Sequence, residues 1–154
     1  MFGLGMTVGN LVCAWAADRA QMPAAGATLV WSAVALALYP AASASLWTLT
    51  PVVFLIGCGC GLATVLQTRL MDVAEDAQTL AAALNHSAFN VANALGPWLA
   101  GLALAAGLGL PATGWVGVAL ALGGFAIWAA SLFAERRTGP AHALSLRHAV
   151  DAKA

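Results

Sequence analysis

The residues best suited to chemistry in this sequence are His86, Asn90 and Asn93. At about 100° per residue they fall, together with Pro97, within an arc of about 60° on one helical face. Asn85 and Ser87 adjoin them. Amides both donate and accept hydrogen bonds, and an imidazole exchanges a proton near neutral pH. This face is therefore a candidate lining for a cavity that binds a polar solute. His86 would either relay protons there or act as a neutral hydrogen-bonding group. The same side chains could instead bond to neighbouring helices. Nothing else supplies a stronger constellation. Cys58 and Cys60 stand two residues apart, which puts their thiols on different faces of a helix. Three cysteines also make no disulfide framework. The sequence holds no phosphate loop, no HExxH helix and no GxSxG elbow. No metal site, no cofactor and no catalytic site is expected, and the protein is not read as an enzyme.

The elements that must position these residues are apolar throughout. Hydrophobic residues make up 62% of the 154-residue chain and charged residues only 8%, against about 25% charged in soluble domains. So few charges cannot cover a water-soluble surface, and the lipid bilayer is the expected surrounding. The net charge is zero, which gives no footprint for nucleic acid.

The charges are also clustered. Residues 1–17, 20–68 and 77–134 carry none. A bilayer core needs about 20 apolar residues per crossing, so each of the two long runs holds two spans and a turn. Pro40 to Pro51 marks the first turn and Gly107 to Gly114 the second. The expected fold is all-α and integral to the membrane, with five transmembrane helices at about 2–17, 23–40, 50–69, 78–106 and 114–134. Together they form a membrane domain over residues 1–135, followed by a cytoplasmic tail over 136–154. Alternating the spans gathers every Lys and Arg on one side. The positive-inside rule makes that side cytoplasmic. The N-terminus is then outside and the C-terminus inside, in a multi-pass protein of the plasma (inner) membrane. Trp31 and Trp98 are expected deep, between helices. The first span starts without a polar flank, so the chain is expected to begin inside a helix.

Small residues mark where helices meet. Gly5, Gly9, Cys13 and Ala17 recur every four residues, and Gly57 and Gly61 do the same in the third span. Such stripes let helices approach closely, where dispersion rather than burial from water drives association. Gly96 and Pro97 add a further packing position and a kink.

These segments resemble the major facilitator superfamily. Gly3–Leu11, followed by Ala17-Asp18-Arg19, is similar to the eighth helix and the cytoplasmic loop after it. Leu66–Ala74 and Leu84–Gly96 look like the tenth and eleventh helices of the drug and sugar efflux branch, the arabinose-efflux-like permeases. The resemblance covers about residues 2–134. It implies helices eight to twelve of a twelve-helix transporter, within its C-terminal six-helix bundle. It also implies a small-molecule substrate bound between two halves and alternating access. Asp18 and Arg19 would then be the pair of a cytoplasmic gating loop. Cys13 and Ala14 stand where glycines are usual there. His86, Asn90 and Asn93 would border the substrate cavity. The function implied is secondary active transport, as proton-coupled efflux of sugars or drug-like molecules, inactive without an N-terminal transporter half. The other expectation is a stand-alone small membrane protein that oligomerises or modulates a partner.

Overall fold

The computed structural model describes the backbone of residues 1–151 and the side chains of residues 1–134 except Glu75. The tail expected at 136–154 lies outside the described side chains. Among the described residues there is no strand. The helices are α1 (Phe2–Ala42), α2 (Leu46–Cys58), α3 (Leu62–Val73), α4 (Gln78–Ala105) and α5 (Pro111–Asp151). A 3₁₀ turn, Gly59–Gly61, joins α2 to α3. Four stretches are long and apolar enough to cross a membrane: Phe2–Ala42, Leu46–Val73, Gln78–Ala105 and Pro111–Ala134. The protein is an all-α membrane protein.

The longest stretch is two rods. Ala20 leaves the helical region (φ −161°, ψ 87°), and the chain reverses there. Cys13 Sγ lies 3.4 Å from Thr28 Oγ1, whereas fifteen residues of straight helix would hold them about 22 Å apart. Pro23 fits this break. It falls in the first turn of the second arm, where a missing N–H costs no helical bond. The separate loop expected at 18–22 is thus one non-helical residue between arms 2–19 and 21–42.

The first turn is also tighter than its prolines suggest. Pro40 lies within α1 and Pro51 within α2, and only residues 43–45 separate the helices. Pro40 sits in the last turn of α1, whereas Pro51 lies just over one turn into α2 and leaves the Trp47 carbonyl without its ladder partner. Ser45 is extended and Thr48 donates to the Ala42 and Ser45 carbonyls, both at 2.9 Å, which closes the corner. At the other turn, Gly107 and Gly109 take positive φ, a backbone that favours glycine. Pro111 then opens α5.

The α2–α3 rod is clasped by both arms of α1. Gly5 meets Phe54 and Gly57, Gly9 meets Cys58, and Gly61 meets Gly9 and Cys13. The numbers rise together, so the first arm and the rod run parallel. The second arm runs antiparallel to the rod, with Trp31 Nε1 donating to the Leu55 carbonyl at 2.9 Å and Gln21 donating to Asp72. It also runs antiparallel to α5. Gly114 meets Tyr39 and Pro40, Gly117 meets Leu36, Gly124 meets Leu29, and Trp128 covers Gly26. Gly5, Gly9, Cys13 and Ala17 are the buried residues of the first arm. The core is therefore built from backbone contact between small residues. Val65 is the one large side chain that is fully buried among the described residues.

Hydroxyls within these apolar rods satisfy themselves locally. Thr7, Thr28, Thr50, Thr68, Ser87 and Ser131 each donate to the carbonyl four residues earlier. That is how a lipid-embedded helix carries hydroxyls without leaving them unpaired. Because Thr28 gives its proton to Ala24, the Cys13 thiol is the donor in the contact between them.

Candidate functional site

α4 touches α3 and α5 and leaves most of its circumference bare. Asn85 is its one buried residue. His86, Asn90 and Asn93 are all exposed. The stripe turned toward α3 is Asn85, Phe89 and Asn93. It is rotated about 70° from the arc centred on His86 and Asn90. The helical period was readable from the sequence, but the direction of the neighbours was not.

The inward stripe opens on a cavity of about 660 Å³ between the first arm of α1, α3 and α4. Asn93 and Phe89 line it from α4, Asn10 and Met6 from the first arm, and Cys60, Thr64, Gln67, Thr68 and Asp72 from the rod. Thr64 Oγ1 donates to Asn10 Oδ1 at 3.3 Å across the helix contact. The cavity runs from Cys60, midway along the rod, to Asp72 at its end. That is about 18 Å at 1.5 Å per residue, against a bilayer core of about 30 Å. At the Asp72 end the carboxylate accepts a hydrogen bond from Gln21 Nε2, which ties the bend of α1 to the end of α3.

Chemically, this lining sets amides and hydroxyls, with a single carboxylate at one end, among the apolar side chains of Met6, Ala63, Met71 and Phe89. It can hydrogen-bond a polar solute. Among the described residues no group of His, Cys, Asp and Glu could hold a metal ion. No buried side-chain nitrogen or oxygen there lacks a partner.

The structure brings Asn93 into this cavity and leaves His86 and Asn90 outside its lining. Asp18 and Arg19 sit at the α1 bend. Arg19 donates to the Trp15 carbonyl at 3.0 Å and lies 3.7 Å from the centre of the Trp15 ring, so its guanidinium is turned back onto its own helix. A Cβ at Gly96 would meet nothing within 4 Å. It shares the face of Asn85 and Phe89 but has no close neighbour there, so it is not a close-packing position; Trp98, on the opposite face, is 60% exposed. Pro97 lies inside α4.

Asn10, Thr64 and Gln67 were not singled out by sequence reasoning. A signal for them exists. Cys60, Thr64, Gln67 and Met71 recur at i, i+4, i+7 and i+11, a mixed polar stripe on an otherwise apolar rod.

A family model for the major facilitator superfamily matches residues 1–148. The chain belongs to that superfamily. An uncharacterized MFS-type transporter from Bacillus subtilis (strain 168), YfhI, is 34% identical over 67% of this chain and 26% of its own length. The chain thus spans about a quarter of the length of that relative. No solved structure matches the chain. Membership of the superfamily points to transport rather than catalysis.

Proposed function

We propose that this chain forms one wall of the solute pathway of a secondary transporter. In this reading it supplies helices eight to twelve of the C-terminal six-helix bundle, with α1 counted as two crossings and a further helical half completing the cavity. The observation that carries it is the polar cavity reaching from mid-rod to the charged end. An apolar bundle held together by glycine contacts has no structural need for Asn10, Thr64, Gln67 and Asn93 around one open space. The short share of YfhI that the chain covers fits a partial transporter. The substrate is a small molecule with hydrogen-bonding groups, of the sugar or drug-like kind, exported in exchange for protons. The end bearing Arg19 and Arg69 faces the cytoplasm of the cell's inner membrane, because basic residues favour that side.

The test is chemical labelling in the complete transporter. Native Cys60 and an introduced Asn93→Cys should both react with a membrane-impermeant thiol reagent in at least one transport state, and substrate should slow the reaction. Cys13, buried against Thr28, should stay unreactive. Protection of positions 60 and 93 in every state would remove this cavity from the pathway.

His86, the one imidazole on α4, stands outside the cavity lining and keeps two readings, a proton relay or a neutral hydrogen-bonding group. If it relays protons, replacing it with Gln should abolish the pH dependence of transport while leaving substrate exchange intact. An unchanged pH profile would reduce His86 to a hydrogen-bonding residue. The other reading, a small membrane protein that oligomerises or modulates a partner, draws on the bare face of α4. It would be favoured by function of the chain without any second half.

A further inference from the structure

A second cavity, of about 410 Å³, lies between the second arm of α1, α3 and α5. It uses Leu62, Val65, Leu66 and Arg69 of α3, a face turned about 180° from the Thr64 and Gln67 face. It is therefore separate from the proposed solute pathway. Its lining is graded in the same sense on all three elements. Gln21, Arg69 and Ser131 stand at one end. Leu29, Leu62 and Gly124 lie seven or eight residues away along their own helices, about 10–12 Å deeper. The polar end coincides with the α1 bend and the end of α3.

We propose that this cavity binds one anionic phospholipid, with its phosphate at Arg69 and an acyl chain running down past Leu62 and Leu29. The gradient from a polar rim to an apolar floor matches the two parts of a phospholipid, and a transported solute would not need the apolar floor. A guanidinium presents five donors in a planar fork that fits a phosphate, so Arg69 can bind one while serving other acceptors. Arg69 is the one charged side chain among the described residues that line the cavity. The nearby carboxylate of Asp72 lines the other cavity and is engaged by Gln21. Basic pockets between helices at the cytoplasmic face suit the anionic lipids of that leaflet.

The experiment titrates the purified full chain in mild detergent with phosphatidylglycerol, phosphatidylcholine or inorganic phosphate, and counts bound molecules by native mass spectrometry. Phosphatidylglycerol should bind about tenfold more tightly than phosphatidylcholine. Arg69→Gln should lose about that factor, and Arg69→Lys, which keeps the charge without the fork, should lose part of it. Leu29→Trp, which blocks the deep part without touching charge, should also weaken phosphatidylglycerol. Equal binding of the two lipids would overturn the proposal, as would an unchanged affinity in Arg69→Gln or Leu29→Trp. Displacement of bound lipid by millimolar inorganic phosphate would assign the site to a soluble anion instead. Should Arg69→Gln not fold, Leu29→Trp with the two-lipid comparison decides the matter alone.

Discussion

Replacing Gly9 with alanine is expected to destabilise the protein by about 3 kcal/mol, the upper end of the usual overpacking range, although only one methyl group is added. An ideal Cβ at Gly9 would stand 2.6 Å from the Cys58 Cα and 2.7 Å from its carbonyl carbon, and would overlap the carbonyl oxygen as well. All three are backbone atoms of the facing rod, so no rotamer change makes room. Gly5 and Gly61 fix the same two helices one turn away on either side. The whole first arm must move off the rod, which weakens the Thr64–Asn10 hydrogen bond and the wall of the polar cavity. Gly101→Ala is the matched control, because a Cβ there meets nothing within 4 Å. It should be neutral, or stabilise α4 by up to about 1 kcal/mol through helix propensity. Thermal or denaturant unfolding in detergent measures both. Equal behaviour of the two variants would mean that the arm and the rod are not in backbone contact.

The glycine contact explains why so much of the architecture was legible. The spans follow from charge spacing, since lipid admits few charges and each crossing needs a fixed length. The stripe Gly5-Gly9-Cys13-Ala17 names a face without reference to any neighbour, because a small-residue face has one use in a bundle. The polar face of α4 has several. Asn85, His86, Asn90 and Asn93 spread over about 140° of the helix. Which of them turns inward depends on where α3 and α5 lie, and the sequence of α4 does not contain that. For the same reason the rod's own polar stripe was overlooked. Thr64 and Thr68 read as ordinary hydroxyls in an apolar helix, and only the facing Asn10 and Asn93 make them a cavity wall. The bend at Ala20 was legible as a charged break but not as a single residue. Its tightness comes from the Cys13–Thr28 contact between the arms.

The contact between Trp128 and Gly26 should behave as one coupled unit, and a double-mutant cycle would expose it. Trp128 Nε1 donates to the Met22 carbonyl at 2.8 Å, and its ring lies on the surface that Gly26 leaves open. The Phe125 ring packs beside it, with the ring centroids 5.0 Å apart. Trp128→Ala removes the bond and the ring together. In a water-soluble core such a loss costs about 3–5 kcal/mol. Lipid can refill part of the space here, so about 2 kcal/mol is expected. Trp128→Phe keeps most of the ring and should lose only the hydrogen bond, about 0.6–1 kcal/mol. Gly26→Ala in the native background drives a methyl into the indole and should cost about 1–3 kcal/mol. In the Trp128→Ala background the same methyl enters vacated space and should cost almost nothing. The two changes must then be strongly non-additive, with a coupling of at least about 1 kcal/mol. Simple addition of the two losses would mean that α5 is not seated on the second arm of α1. Both cavities depend on that seating: the graded one directly, because α5 forms one of its walls, and the polar one through α4, which α5 and α3 hold in place.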